Sequence, residues 1–289
     1  MDKKTMLITG GKGMLGHEIF TRFHGEYEIR VTDLGEFDVT SPMECRRVIG
    51  GVHPDVVVHC AAYTAVDRAE SEETLAFAVN ADGTRNVARE CREQGALLVT
   101  FGTDYIFDGT SSVPYREEDP ARPLSAYGRS KLAAEEALRA EAPSHLLIRT
   151  QWLYGPYGRN FVYAILDRAR RGEPLRVVSD QRGTPTSARD LADATGRLLE
   201  SDARGTFHFS NEGETTWFDF ASFLLAHAFP GPFSLSPALT GELAYPAPRP
   251  AYSVLSKEKY RGFTGDVPRR WEEAVTDFLK TIDEGGVAR

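Results

Sequence analysis

Thr9-Gly10-Gly11-Lys12-Gly13-Met14-Leu15-Gly16 decides the fold of this chain, because of what stands on either side of it. Before it lies the apolar run Met6-Leu7-Ile8, and after it the spacing predicts a helix over 14–23. Gly10, Gly13 and Gly16 therefore form GxxGxxG between a strand and a helix. In that setting the first glycine permits a tight turn, the second lets backbone approach a pyrophosphate, and the third lets helix pack on strand. The helix N-terminus then offers free N–H groups and partial positive charge to phosphates. The same glycines could serve a purely structural turn, but strand before and helix after favour a dinucleotide site. That assigns Gly10, Gly13, Met14, Leu15 and Gly16 to cofactor binding.

Outward from the motif, short apolar runs alternate with amphipathic stretches. Strands are expected at 28–32, 55–60, 97–101 and 146–148, and helices at 75–93 and 126–140. The run Asp55-Val56-Val57-Val58-His59-Cys60 is apolar without alternation, as in a strand covered on both faces. Such an order implies parallel βαβ units and a doubly wound, Rossmann-like α/β fold. Further on, helices are expected over 161–171, 189–200 and 271–282, and a strand over 205–210. The proline- and glycine-rich stretch 230–250 reads as irregular, and 285–289 as frayed. The expected organisation is a cofactor domain from 1–150 and about 186–210. A smaller, discontinuous substrate-binding part takes about 151–185 and 211–289.

Composition narrows the function. With 289 residues and 41% hydrophobic content the chain can bury a substantial core. Its net charge of -8 disfavours nucleic acid. Cys45, Cys60 and Cys91 are far apart without CxxC spacing, which argues against a zinc site and against a disulfide framework. No stretch reaches membrane-span length, and the opening apolar run is too short for a signal peptide. The expectation is a cytoplasmic protein.

Asp33 closes the second predicted strand, where a carboxylate can hydrogen-bond adenosine ribose hydroxyls and repel a 2′-phosphate. Leu34 and Gly35 supply no cation, although Arg30 is near in sequence, so NADH is favoured slightly over NADPH. Asp38 and Val39 are placed to meet the adenine edge, and Ala61, Ala62 and Tyr63 end the third strand with small residues that admit a cofactor. Tyr127-Gly128-Arg129-Ser130-Lys131 is a YxxxK on a predicted helix, so phenol and ammonium share one face. A nearby ammonium stabilises phenolate, and bringing a tyrosine from about 10 to about 7 needs roughly 4 kcal/mol. Thr103 precedes Tyr127 at the carboxyl edge of the fourth strand, beside Asp104. Hydroxyl, tyrosine and lysine in that order, behind a dinucleotide motif, make a constellation for exchanging a proton with a carbonyl. Thr103 would position the carbonyl, Tyr127 act as acid, and Lys131 assist Tyr127 and hold the nicotinamide ribose.

Longer motifs carry a resemblance. Ala61-Ala62-Tyr63-Thr64-Ala65-Val66-Asp67-Arg68-Ala69-Glu70 is similar to AAxTAVDxAE, and Thr103-Asp104-Tyr105-Ile106-Phe107-Asp108-Gly109 to TDYVFDG. Arg149-Thr150-Gln151-Trp152-Leu153-Tyr154-Gly155 is similar to RTSWVYG, and Arg249-Pro250-Ala251-Tyr252-Ser253-Val254-Leu255 to RPAYSVL. The chain thus resembles the dTDP-4-dehydrorhamnose reductases of the extended short-chain dehydrogenase/reductase superfamily. The resemblance implies NADH- or NADPH-dependent reduction of the C4 keto group of a dTDP-linked 4-keto-6-deoxysugar. It also implies substrate contacts at Thr103, Asp104, Trp152, Asn160 and Arg249. Two departures stand out: Gly102 where the family often has serine, and Arg189 and Thr281 where some members have metal-binding glutamates alongside Glu18. A cation beside a metal is unfavourable, so no metal is expected, and the chain is expected to be a monomer or weak homodimer.

Two other functions compete. A nucleotide-sugar epimerase or dehydratase shares the superfamily, but a dehydratase needs a second carboxylate where Tyr105 follows Asp104. A related group forms regulatory subunits of methionine adenosyltransferase, binding without turnover. Retention of Thr103, Tyr127 and Lys131 together favours catalysis.

Overall fold

The structure is a computed structural model that describes residues 3–142, 144–228 and 231–285, with the side chains of 283–285 left aside. Of the stretch expected to fray, 286–289 lies outside the described residues. Strand β1 (Thr5–Thr9) passes through the glycine turn into helix α1 (Met14–Phe23), followed by β2 (Glu28–Thr32), α2 (Pro42–Val52) and β3 (Val56–His59). A short helix α3 (Val66–Ala69) precedes α4 (Glu73–Phe77), which runs through a π-helical turn (Ala78–Asp82) into α5 (Gly83–Gln94). Strand β4 (Leu97–Thr103), helix α6 (Ala126–Glu141) and strand β5 (His145–Thr150) complete the first half.

The second half contains β6 (Leu153–Tyr154), α7 (Phe161–Arg170), β7 (Leu175–Val178), β8 (Arg182–Gly183), β9 (Thr186–Ser187) and α8 (Ala188–Glu200). These are followed by β10 (Gly205–His208), β11 (Thr215–Thr216), α9 (Trp217–Ala228), β12 (Leu235–Ala238), α10 (Glu258–Thr264) and α11 (Trp271–Gly285). The main sheet has the order β2-β1-β3-β4-β5-β10, and all its pairings are parallel.

Alternation along the strands sorts the core into two layers. Met6, Ile8, Val56, Val58, Leu146 and Ile148 meet α1 and α8 through Leu15, Ile19, Phe23, Leu191 and Leu198. Leu7, Val57, Leu98 and Leu147 point the other way, onto Cys45, Ile49, Val87, Cys91 and Leu138 of α2, α5 and α6. A separate core joins α7, α9, α11 and β7, centred on Leu166, Leu175, Phe220, Leu224, Trp271 and Phe278. Tyr260 of α10 lies in the first core, so the late segment returns to the sheet.

Three differences from the sequence reading have physical causes. The helix expected over 75–93 is real but contains a π-helical turn, which widens the backbone around Asn80. The stretch 230–250 is not wholly irregular: β12 pairs with β7, a partner some sixty positions away that no local signal reveals. Helix α2 buries only Cys45 and Ile49 and so has a thin apolar stripe, while α9 is apolar on several sides and lacks a clean period. Among the described residues no helix is long and apolar enough to cross a membrane.

Candidate active site

The strand order reverses between β1 and β3, which opens a crevice at their carboxyl ends, where open α/β sheets bind ligands. The glycine turn lies in that crevice. Gly10 has φ +66°, and a Cβ there would sit 2.5 Å from the Ala61 nitrogen, so Ala61 closes directly against the loop. A Cβ on Gly16 would sit 2.4 Å from the Gly10 carbonyl oxygen. Gly13 caps α1 without any side-chain hydrogen bond, leaving the helix N-terminus open to an anion. Leu15 is directed into the first core, and Met14 lies against Gly155. The geometry fits a dinucleotide pyrophosphate.

Asp33 stands at the expected strand end and accepts hydrogen bonds from Lys12 N and Leu34 N, both at 2.7 Å. Lys12 also brings a cation: its Nζ is 3.6 Å from Glu36. The cation that Leu34 and Gly35 do not supply comes from Lys12, inside the loop. Asp38 accepts from Thr40 N and Thr40 Oγ1 in a turn, and Val39 is buried in the core under Gly83. Tyr63 reaches Glu72 with its hydroxyl, at 2.6 Å.

At the far ends of β3, β4 and β5, four buried polar atoms have no hydrogen-bond partner among the described residues: His59 Nε2, Asp104 Oδ2, Thr150 Oγ1 and Gln151 Nε2. Orphaned buried polar groups are rare and mark sites with a missing partner. Their gathering at one sheet edge independently points to a ligand site there.

Tyr127 and Lys131 share one face of α6, which begins with Ser125 accepting from Gly128 N. Lys131 Nζ donates to the Phe101 carbonyl at 2.7 Å. Burial lowers Lys131 to about 8, opposed by Glu135 one turn on and by Cys60. Burial pushes Tyr127 up to about 12, against the hydrogen-bonding pull of Thr103. The expected depression of Tyr127 by Lys131 is thus not what this protein shows alone. Tyr127 is a neutral phenol, the form from which a proton can be given.

Asn80 escaped the sequence reading. Its amide donates to Tyr63 O and to Ser130 Oγ at 2.9 Å, and its Oδ1 accepts from Tyr63 N. Ser130 in turn donates to the Tyr127 carbonyl. Asn80 therefore ties the cofactor-facing segment to the catalytic helix, and its polar side chain within the otherwise apolar stretch Ala76-Phe77-Ala78-Val79 was the available signal. Gly102 also acquires a reason: a Cβ there would lie 2.7 Å from Arg149 Cγ and 2.9 Å from Glu135 Oε1. The buried Arg149–Glu135 pair, at 2.7 Å, occupies the space a serine side chain would need.

Of the residues implied for substrate, Thr103 is the last residue of β4 and Asp104 follows it directly. Trp152 has φ +46°, a left-handed backbone that is costly for a bulky residue, and stacks on Trp217 with ring centroids 3.6 Å apart. Arg249 pairs with Asp67 at 2.9 Å and lies over the Tyr245 ring. Its charge is felt by Tyr105, whose ring meets Tyr127 edge-on at 5.6 Å. Arg249 is thus one aromatic ring away from Tyr127. Asn160 caps α7, accepting from Tyr163 N and donating to Gly155 O, so both ends of its amide are engaged.

Glu18, Arg189 and Thr281 do line one groove, with Arg22, Asp193 and Asp277. Burial raises Glu18, and Arg189 opposes that rise. Among the described residues no three acidic, histidine or cysteine side chains form a metal-binding group.

Comparison with known proteins agrees with this geometry. A family model described as the RmlD substrate binding domain matches residues 4–284. A Streptomyces antibioticus protein named probable dTDP-4,6-dihydroxy-2-methyloxan-3-one 4-ketoreductase is 44% identical over 287 residues, covering 96% of this chain and 95% of its own. A dTDP-4-dehydrorhamnose reductase structure from Clostridium acetobutylicum is 37% identical with a TM-score of 0.94, covering 96% of this chain and 99% of its own. One from Bacillus anthracis, in complex with NADP, is 35% identical with the same TM-score and the same coverage. With a cofactor crevice, a Thr-Tyr-Lys cluster and a family match over nearly its whole length, the chain belongs to the RmlD substrate binding domain family.

Proposed function

We propose that this protein reduces the C4 keto group of a dTDP-linked 4-keto-6-deoxysugar, dTDP-4-dehydrorhamnose in the first place, using a nicotinamide cofactor. The observation that carries the reading is Thr103 facing Tyr127 beside a glycine cradle open for a pyrophosphate. When bound, the nicotinamide supplies the hydride. Thr103 donates a hydrogen bond to the carbonyl oxygen, fixing its direction and supporting the developing charge. Tyr127, held neutral by burial, gives the alkoxide its proton. Lys131 sits behind Tyr127 to hold the cofactor ribose. Trp152 and Arg249 contact the sugar nucleotide, and Asn160 contributes by fixing the start of α7. The substrate-binding part is assigned to the α7–α9–α11 core together with the late segment around Arg249.

Either cofactor form fits: Asp33 favours a free ribose, and Lys12 offers a charge to a 2′-phosphate. A slight NADH preference remains the reading. The chain acts as a monomer or weak homodimer, which light scattering over a concentration series checks. The test of function is cofactor oxidation with a panel of dTDP- and GDP-linked 4-keto sugars. Turnover of dTDP-4-dehydrorhamnose supports the assignment, and no turnover of any dTDP sugar ends it. A second reading, a different dTDP-4-keto sugar, is favoured by the name of the 44% identical relative, and the same panel decides it.

A further inference from the structure

Tyr127, Lys131 and Glu135 recur at every fourth position of α6, which sets all three on one face of the helix. Tyr127 and Lys131 have roles in the proposed reaction, and Glu135 has none. Yet Glu135 is only 2% exposed. One helical turn separates it from Lys131, and both line a cavity of about 10 Å³ together with Thr84, Thr100 and Gly102. That is the space of a single water. Gly102 leaves the Glu135 carboxylate bare on this side, since a Cβ there would lie 2.9 Å from Oε1.

The charges gathered here are two buried cations, Lys131 and Arg149, and one buried carboxylate. Lys131 Nζ donates to the Phe101 carbonyl, which offers a dipole but no charge. Arg149 grips Glu135 with two bonds, Nε to Oε1 at 2.9 Å and Nη2 to Oε2 at 2.7 Å. Arg139 donates to Oε2 from the next turn of α6, also at 2.7 Å. His208 adds no charge. Arg149 Nη1 can only donate, so His208 Nε2 accepts at 3.2 Å, and Nδ1 carries the hydrogen given to Tyr115 O. A buried cation without a counter-charge loses its proton or its place.

We propose that Glu135 is the counter-charge of Lys131: anchored by Arg149 and Arg139, it acts across the cavity to keep the ammonium charged and in place for the cofactor ribose. It is a positioning residue and touches neither ligand. The inference rests on Lys131 acting as assigned above. Burial lowers Lys131 to about 8, and Glu135 is the first group that opposes the fall. The other titratable groups facing Lys131 are Tyr127 on α6 and His59 and Cys60 at the end of β3. Burial raises Tyr127 to about 12 and the Cys60 thiol likewise, and it lowers His59 to about 3. None of the three therefore changes charge near the Lys131 range. Glu135 itself faces Arg139 and Arg149, with His208 beyond Arg149.

The test is NADH affinity of the full-length protein by fluorescence titration from about pH 6 to about pH 10, with kcat followed in parallel. Affinity should hold while Lys131 is protonated and fall as pH rises through its ionisation. Glu135→Gln keeps the shape and loses the charge, so the fall should begin about one pH unit below that of the wild type. Above both falls its affinity should be about tenfold weaker than wild type. Arg149→Met takes a cation from beside Glu135 and should move the fall the other way, upward by about half a unit. A merely structural role would instead weaken both variants alike at every pH. A Glu135→Gln fall that coincides with the wild type's, or no fall in either, overturns the proposal. So does an Arg149→Met fall at or below the wild type's, which decides the matter alone if the Gln variant does not fold. Failure of the Lys131 assignment is separate: Lys131→Met would then bind NADH as tightly as wild type, whatever Glu135 does.

Discussion

At the scale of single residues, the chemistry rests on a few atoms whose removal has different signatures. Tyr127→Phe removes only the proton donor. It should cut kcat by about 10²–10⁴-fold while cofactor affinity, read by fluorescence titration, stays nearly unchanged. Lys131→Met should damage both, because the ammonium that donates to Phe101 O is also the group proposed to hold the ribose. A Tyr127→Phe enzyme with near-normal turnover would shift suspicion to Tyr105, the ring next to it. These residues were legible because YxxxK fixes a helical spacing and Thr103 ends a strand. Asn80 was not legible, since its role depends on what lies across the fold, Ser130.

Elements carry the next set of consequences. Gly16→Ala would drive a Cβ into the Gly10 carbonyl from a distance of 2.4 Å, so loop and α1 must part. Its expected outcome is loss of cofactor binding at least tenfold, with a lowered melting temperature, read by titration and calorimetry; unchanged affinity would argue against the cradle. Arg149→Ala removes the buried partner of Glu135 and leaves the carboxylate with Arg139, 2.7 Å away, so the cost should lie between about 1 kcal/mol and the about 3–5 kcal/mol of an unpaired buried charge. Denaturant unfolding checks this, and a cost below about 1 kcal/mol would mean that Arg139 alone satisfies Glu135. The glycine turn, α1, the sheet strands and α6 could be read from sequence because each is a local pattern. Helix α2 could have been read from its start instead of its thin stripe: Ser41 accepts from Glu44 N, with Pro42 in the first turn. Strand β12 could not, because among the described residues it pairs with β7, far away in sequence. The π-helical turn is likewise silent in sequence, yet it is what carries Asn80 into reach of both Tyr63 and Ser130.

For the molecule as a whole, metal and cofactor dependence are the accessible measurements. Activity should survive EDTA unchanged, because Arg189 stands beside Glu18 in their shared groove, where its charge disfavours a cation. Activity lost to EDTA and restored by magnesium would count against that. NADH and NADPH should differ only modestly in kcat/KM, and Lys12→Glu should weaken NADPH more than NADH, because it removes the loop's cation. The two-core arrangement was visible only as a crowding of phosphate and catalytic motifs in the first half, since aromatic packing such as Trp152 on Trp217 leaves no periodic trace. One tie has a consequence in time. Asp67 and Arg249 meet across 182 positions of chain, and Tyr115 pairs with Leu255 in the same late segment. Contacts of such long separation form late, because the intervening chain must first surrender its freedom. During synthesis the glycine cradle, Thr103, Tyr127 and Lys131 all emerge well before Arg249. In a refolding experiment nucleotide binding should therefore return in an earlier kinetic phase than turnover, giving a transient species that holds cofactor but cannot yet use it.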